Sequence, residues 1–243
     1  MRTNRWMALL LAASVLLCQV FTVTAAAAPE DDFVVVDGVL TQYLGGGGEV
    51  TIPGSVTEIA AGVFQGNRNL IKVYFTGNGL VKIGNNAFRD SGLTGAISLP
   101  AGLESIGDAA FYGCTRITGT LALPPSLKSV GNNAFQNCTG LTVLELNTGL
   151  LTIGNTAFYD CAGLRGDLII PDTVTSVGSD AFRNCTNLDG RLQLSEAMTV
   201  VNGSTFTNCR NITGELVIPD SVTRISSNYT FRYMEKLTSI RFG

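Results

Sequence analysis

The sequence contains no histidine. This absence excludes catalytic triads and general bases that depend on an imidazole, and it removes the commonest protein ligand of transition metals. Charged residues are also scarce, at 14 % of the chain, and the lysines and arginines form no basic cluster. A nucleic-acid-binding surface normally needs such a cluster. We therefore expect no nucleic-acid partner, no contact with acidic lipids through a basic patch, and no histidine-dependent enzyme.

Residues 1–27 are predicted to be a secretory signal peptide. Arg2 and Arg5 precede an almost wholly apolar run, and the small residues of TAAAAP then offer a cleavage site near Ala27. The alternative is a membrane anchor, because the run approaches the roughly 20 residues that span a bilayer. Gln19 interrupts the run, which favours cleavage and a secreted or cell-surface protein. Loss of the two arginines changes the formal net charge from −3 to −5.

Phenylalanine recurs through the rest of the chain at intervals of 23–25 residues. The eight phenylalanines in phase are Phe64, Phe88, Phe111, Phe135, Phe158, Phe182, Phe206 and Phe231. Two further apolar series keep this phase, one about eight residues upstream, as in Leu127, and one about five residues upstream, as in Val130. A fixed period of this length indicates a repeat protein, in which each unit packs only against its neighbours.

The cleanest copy of the repeat is LRGDLIIPDTVTSVGSDAFRNCTNL, residues 164–188. Its first part has the alternation of a strand with one buried face, and the proline marks a corner. The polar residues after the glycine are predicted to cap a short helical turn, on which Phe182 and Cys185 share one side. A coil of about 24 residues cannot bury its own apolar face. We therefore expect stacked coils that form a right-handed α/β solenoid with a parallel sheet on one side.

The repeat resembles the BspA-like leucine-rich repeat family, also called the Treponema pallidum type. The resemblance is carried by SLPAGLESIGDAAFYGC, TVLELNTGLLTIGNTAFYDC and GELVIPDSVTRISSNYTF, and it covers residues from about 49 to 243. It implies a leucine-rich-repeat solenoid with its parallel sheet on the concave face, on a secreted or cell-surface protein. It also implies that the chain binds other proteins, as adhesins do, and that it is not an enzyme and needs no cofactor.

The two ends of the array are predicted to differ from its middle. Residues 28–53 are interpreted as a capping hairpin, with strands at 33–36 and 39–44, followed by a glycine loop at 45–48. Residues 54–243 are interpreted as the array of about eight repeats. Gly243 ends the sequence in mid-repeat, which predicts an uncovered sheet edge there. Self-association through this C-terminal edge is therefore an alternative to binding of other proteins.

Five cysteines follow the phenylalanines by three residues each: Cys114, Cys138, Cys161, Cys185 and Cys209. Disulfides are the first expectation in a secreted protein, but five is an odd number. Packed helical turns would also lie about 8–10 Å apart, which is beyond the reach of a disulfide. A straight row offers no tetrahedral metal site. We favour a row of buried free thiols, with disulfides and a metal or catalytic site as alternatives.

The functional surface is predicted to be formed by the strand residues that flank the inward-pointing positions. They are Lys72 and Tyr74, Ala96 and Ser98, Thr120 and Ala122, Val143 and Glu145, Asp167 and Ile169, Arg191 and Gln193, Glu215 and Val217, and Ser239 and Arg241. The candidates for protein binding are Lys72, Tyr74, Glu145, Asp167, Arg191, Gln193, Glu215 and Arg241. The alternative is an ordinary solvated face. A third interpretation, that Glu145 and Asp167 form a carboxylate pair for glycoside hydrolysis, has no predicted pocket in its support.

Two other functions are compatible with the repeat. One is a structural envelope or coat component that self-assembles. The other is a polysaccharide-active parallel β-helix enzyme, which shares this period but predicts coils made of β-structure alone and a groove of clustered acidic and basic residues. The predicted helical turn and the absence of histidine both argue against the enzyme. Five Asn-x-Ser/Thr sequons are also present, at Asn137, Asn184, Asn202, Asn211 and Asn228, and are glycan acceptors if the source is eukaryotic.

Overall fold

The computed structural model describes residues 30–243, so the predicted signal peptide lies outside the described residues. After one 3-10 turn at Glu30–Asp32, strands β1 (Phe33–Val36) and β2 (Val39–Tyr43) form an antiparallel hairpin. Its strands lie at the predicted positions, except that the second ends at Tyr43 and not at Leu44. Its second strand pairs in parallel with the first strand of the array, so the hairpin covers the apolar end of the first coil.

A parallel sheet of very short strands runs along one corner of every coil. Its strands are β4 (Glu58–Ile59), β6 (Lys82–Ile83), β7 (Ser105–Ile106), β9 (Ser129–Val130), β11 (Thr152–Ile153) and β13 (Ser176–Val177), with β15 (Val200–Val201) and β17 (Arg224–Ile225) as a separate pair. We call this the corner sheet. From β4 to β15 the second residue of each strand is a buried Ile or Val. These strands therefore contain the apolar series that lies about five residues upstream of the phenylalanines.

A second set of parallel strands forms what we call the strand face. Its members are β3 (Gly48–Ile52), β5 (Leu70–Phe75), β8 (Gly119–Ala122), β10 (Leu141–Glu145), β12 (Leu168–Ile169), β14 (Leu192–Gln193), β16 (Gly214–Ile218) and β18 (Leu237–Phe242). They pair two by two, as β3–β5, β8–β10, β12–β14 and β16–β18. The strand expected at 96–98 is not formed, since that coil contributes only a single bridge, between Gly95 and Ile117. The strand face is thus a series of pairs rather than one continuous sheet.

The eight repeating phenylalanines form a stack along the core. Neighbouring rings are nearly parallel, with interplanar angles of 2–10° and centroids 5.0–6.0 Å apart. Tyr43 of the hairpin continues the stack at 5.0 Å from Phe64. Seven of the eight are buried and Phe231 is partly buried. The repeating phenylalanines thus form a continuous part of the core from the first coil to the last.

The segment around each phenylalanine is not the helical turn that the sequence suggested. It consists of tight turns in which two residues have positive φ, one two positions before the phenylalanine and one two positions after it, except at Phe231, where only the later one does. Around Phe135 these are Asn133 (φ 56°) and Asn137 (φ 61°). A left-handed residue breaks a right-handed helix. The backbone N–H of Phe135 bonds instead to the carbonyl of Ala157 in the next coil, at 2.8 Å.

The polar residues after the glycine also differ from their expected role as helix caps. Their side-chain oxygens accept hydrogen bonds from the backbone N–H of the equivalent residue in the next coil. The bonds run from Asp108 N to Asn85 Oδ1, Asn132 N to Asp108 Oδ1, Asn155 N to Asn132 Oδ1 and Ser179 N to Asn155 Oδ1, at 2.7–2.9 Å. Because each side chain satisfies a donor in its neighbour, this polar row holds adjacent coils together.

The stacking changes at Asn202, which takes the place that glycine has in the five preceding coils. At Gly178 an added Cβ would lie 2.4 Å from Asn155 N, so this position has no room for a side chain at the usual spacing. At Asn202 the corner sheet is interrupted between β13 and β15. The Asn202 side-chain amide bonds to the carbonyl of Val177 at 2.7 Å. The ring spacing between Phe182 and Phe206 widens to 6.0 Å.

Candidate functional site

The strand face presents the predicted binding residues to solvent. Seven of the eight candidates are exposed and Lys72 is partly buried. Between them lie the inward residues of the same strands, such as Leu121, Leu168, Leu192 and Leu216, which are buried in the core. The alternation follows from the two-residue period of a strand. Each strand therefore has one outward side chain that is free to vary for every inward side chain that the core requires to be apolar.

Asp167 and Arg191 form the best-defined contact on this face. Asp167 Oδ1 accepts a hydrogen bond from the backbone N–H of Arg191 at 2.7 Å, and Asp167 Oδ2 lies 3.4 Å from Arg191 Nη2. The backbone hydrogen bond, with a smaller contribution from the guanidinium, lowers the pKa of Asp167. The carboxylate of Asp167 therefore stays charged to a lower pH than that of a free aspartate. An exposed ion pair of this kind adds little stability by itself.

Similar contacts lie at the two ends of the strand face. Arg241 Nε is 3.7 Å from Glu215 Oε1 on the paired strand. At the other end the Tyr74 hydroxyl donates to Glu49 Oε2 at 3.0 Å, and Lys72 Nζ lies 5.0 Å from the Tyr74 ring centroid. Glu49 belongs to β3, a strand that was not included among the predicted outward positions. Its alternation in GEVTI was the signal that could have identified it.

Besides a cleft at Lys72 and Tyr74, two clefts open where neighbouring strand pairs are not hydrogen-bonded to each other. One, between β10 and β12, has a volume of about 520 Å³ and is lined by Glu145, Asp167 and Asp172 among others. The other, between β14 and β16, has about 370 Å³ and is lined by Arg191, Gln193, Glu196 and Glu215 among others. The structure therefore brings Glu145 towards Asp167, and Arg191 towards Glu215.

Asp172 and Glu196 also belong to this surface, although they were not among the predicted binding residues. Asp172 Oδ1 accepts a hydrogen bond from Glu196 N at 3.0 Å, so the two residues occupy equivalent positions. With them, the two clefts carry five carboxylates and one guanidinium. Exposed apolar side chains lie between the charges, with Val143 39 % and Ile169 40 % exposed. The chemistry favours contact with basic and apolar groups rather than with an acidic molecule.

The cleft between β10 and β12 is lined by both members of the carboxylate pair Glu145 and Asp167. Among residues 30–243 no group of three or more Cys, Asp or Glu side chains is placed to hold a metal ion. In the same part of the chain no helix has the length and apolarity to cross a membrane. The coils contain β-structure and turns without α-helix, which removes one of the two arguments raised above against a β-helix enzyme.

The five repeating cysteines are buried and free. Each thiol donates to the backbone carbonyl of the phenylalanine in the preceding coil, as in Cys161 Sγ to Phe135 O at 3.1 Å. The predicted spacing of 8–10 Å between neighbouring coils was wrong. The coils stack as tight turns and not as helices, and their phenylalanine rings are 5.0–6.0 Å apart. Free thiols result nevertheless, and each has its own carbonyl partner.

Thiol reactivity tests this arrangement. Burial raises the pKa of Cys114 to about 11 and the pKa values of Cys161 and Cys209 to about 12. It also raises the pKa values of Cys138 and Cys185 well above the ordinary value of 9.0. At pH 9 the unfolded chain therefore carries thiolate and the folded chain does not. We expect a thiol reagent without reductant to modify almost none of the five in folded residues 28–243, which lack Cys18, and all five after denaturation. A titre of one after denaturation would mean two disulfides.

Comparisons with known proteins agree with this architecture. The family model described as BspA type leucine-rich repeat region matches in six copies, over residues 48–165 and 153–243. The crystal structure of a T. pallidum leucine-rich repeat protein is 24 % identical, with a TM-score of 0.56 over 89 % of this chain and 86 % of that one.

A leucine-rich repeat protein from Eubacterium ventriosum is 20 % identical, with a TM-score of 0.50 over 80 % of this chain and 59 % of that one. No curated protein sequence matches this chain significantly. At these identities the solved structures support the fold alone. The repeat model matches most of the chain, and the repeats it matches are the coils described above. The chain therefore belongs to the BspA-type leucine-rich repeat family.

Proposed function

We propose that this protein binds other proteins through its strand face, as a secreted or surface-associated adhesin without catalytic activity. The observation that carries the proposal is the exposed strip made by Glu145, Asp167, Arg191 and Glu215, with apolar side chains between the charges. Interfaces combine apolar contacts with a surrounding polar rim in this way. Because the core holds the strands in place, the surface is already formed before a partner arrives, which lowers the ordering cost of binding.

The chemistry of the clefts defines the partner that fits. Carboxylates outnumber cations there, so the complementary surface carries lysine or arginine together with apolar side chains. Electrostatic complementarity of exposed charges speeds association and is screened by salt. The proposed location is supported by the apolar N-terminal segment and by the family, in which the resemblance implies secreted and surface proteins.

Affinity capture from host or matrix extracts tests the proposal. The bait is residues 28–243, compared with a variant in which Glu145→Gln, Asp167→Asn and Arg191→Gln are combined. We expect the captured partner to carry a basic surface, to bind purified bait with a salt-dependent affinity, and to lose about tenfold or more with the triple variant, or about 1.4 kcal/mol. A variant with Glu104→Gln and Lys128→Gln, both exposed beside the corner sheet, serves as the charge-substituted control. Equal binding by the wild type and the triple variant contradicts the proposal.

Self-association is the second candidate. Among the described residues β18 pairs only with β16, and it exposes the apolar side chains of Ile240 and Phe242. Sedimentation at several concentrations separates the two candidates. A monomer at micromolar concentration argues against assembly, and a concentration-dependent mass that disappears in an Ile240→Lys variant supports it.

A further inference from the structure

A second row of side chains lies outside the strand face, at the residue that follows each repeating phenylalanine, and all of its members except Thr207 are exposed or partly buried. Its members along the stack are Gln65, Arg89, Tyr112, Gln136, Tyr159, Arg183, Thr207 and Arg232. The long planar side chains cover one another, with Arg89 Cζ 4.5 Å from the Tyr112 ring centroid and Arg183 Cζ 5.9 Å from that of Tyr159. Thr207 is the one short side chain among these eight, and it leaves a notch in the row.

The notch is a cleft of about 270 Å³ with a polar floor and cationic and aromatic walls. It is lined by Arg183, Ser204, Thr207, Tyr229, Arg232 and Tyr233. The lining contains two guanidinium groups and no carboxylate, although the formal net charge of the whole chain is −3. The cleft coincides with the widened coil spacing, since the rings of Phe206 and Phe231 are also 6.0 Å apart.

Both guanidinium groups have capacity for a further acceptor. Arg232 makes no ion pair within residues 30–243, and its Cζ lies 5.1 Å and 4.5 Å from the ring centroids of Tyr229 and Tyr233. Arg183 donates from Nη1 to Asp180, and its Nη2 has no hydrogen-bond partner among residues 30–243. An oxyanion in the cleft would accept hydrogen bonds from the free donors of both guanidinium groups.

We propose that this notch binds the sulfate- or carboxylate-bearing ring of an anionic saccharide. Arginine forms paired, charge-assisted hydrogen bonds with planar or tetrahedral oxyanions. Tyr229 and Tyr233, 47 % and 48 % exposed, offer flat apolar faces at the rim beside a sugar ring. The volume suits a single ring rather than an extended acidic peptide, which needs a longer groove. This site is independent of the strand face and of the protein-binding function proposed above.

Titration with small probes tests the site, with the arginine Nε–H resonances of the chain as the readout. The probes are N-acetylglucosamine 6-sulfate, glucuronate, neutral N-acetylglucosamine, sodium sulfate and a hexaglutamate peptide. We expect the two anionic sugars to shift the Arg183 and Arg232 signals and to bind at least about tenfold more tightly than the neutral sugar or free sulfate. Arg232→Gln is expected to reduce their affinity about tenfold, and Tyr233→Leu several-fold.

The control variant is Arg224→Gln, which removes an exposed arginine of β17 outside the notch and is expected to leave the affinity unchanged. Comparison of melting curves shows whether each variant remains folded. Three results would overturn the proposal: equal binding of the neutral sugar, equal binding of free sulfate, or unchanged affinity in both Arg232→Gln and Tyr233→Leu. Tighter binding of hexaglutamate would overturn the assignment to a saccharide.

Discussion

Replacement of Phe135 by alanine should lower the free energy of unfolding by about 3–5 kcal/mol, because it opens a cavity in a core that stacks on both sides of the ring. Phe135 is fully buried, with its centroid 5.1 Å from that of Phe111 and 5.4 Å from that of Phe158. The substitution therefore removes packing contacts in its own coil and in both neighbouring coils. Chemical denaturation of the wild type and the variant measures it.

Phe242→Ala provides the matched control, since Phe242 is 67 % exposed and lies outside the stack. We expect this substitution to change stability by less than about 1 kcal/mol, as is usual for surface positions. If Phe135→Ala and Phe242→Ala lowered the free energy of unfolding by similar amounts, the phenylalanine stack would not be a main source of stability.

Replacement of Gly154 by alanine should also destabilise the protein, by about 1–3 kcal/mol, although it adds only one methyl group. A Cβ at this position would lie 2.5 Å from Asn132 N and 2.6 Å from Gly131 C in the preceding coil. Both atoms belong to the backbone, so the coils must separate to make room. The separation seen at Asn202, where the rings are 6.0 Å apart, shows the direction of the change.

Thermal and chemical unfolding of Gly154→Ala should be compared with Gly46→Ala. Gly46 has ordinary φ and nothing within 4 Å of an added Cβ, so we expect this control to be neutral. If Gly154→Ala were equally neutral, the close approach of the coils would not be what requires glycine in the repeat.

The coil length and the core could be predicted because one phenylalanine per unit must find its packing partners in the adjacent units. This requirement appears in the sequence as the two regularly spaced series of apolar residues that include Phe135 and Val130. The same reasoning identified the outward residues of the strands, such as Asp167 and Arg191, because their neighbours are fixed by the core. Periodicity therefore predicts which side chains are buried and which are free to vary.

The turns could have been predicted better than they were. The residue two positions after the phenylalanine is Gly66, Asp90, Gly113, Asn137, Asp160, Asn184, Asn208 and Tyr233 along the array, and it has positive φ in all eight. Glycine, asparagine and aspartate are the residues that tolerate this conformation. The signal was therefore present and contradicted the helical turn. Ala109 and Thr156, also at positive φ, carry no such signal, and their conformation follows from hydrogen bonds between coils.

The clefts of the strand face could not be predicted from single strands. The segment at 96–99 alternates as the paired strands do, yet it remains unpaired. Whether two strands pair depends on the local distance between coils, which is a property of the stack and not of either strand. For the same reason the notch at Thr207 becomes visible only when neighbouring coils lie beside one another.

The most direct test of the proposed function is carboxylate footprinting of the chain with and without its captured protein partner. Carbodiimide labelling followed by mass spectrometry reports the accessibility of each exposed Asp and Glu. We predict that the partner protects Glu145, Asp172, Glu196 and Glu215 on the strand face, while Asp90 and Glu104 elsewhere on the coils stay equally labelled. Protection of Asp90 or Glu104 with the strand-face carboxylates unchanged would contradict the assignment of binding to this face.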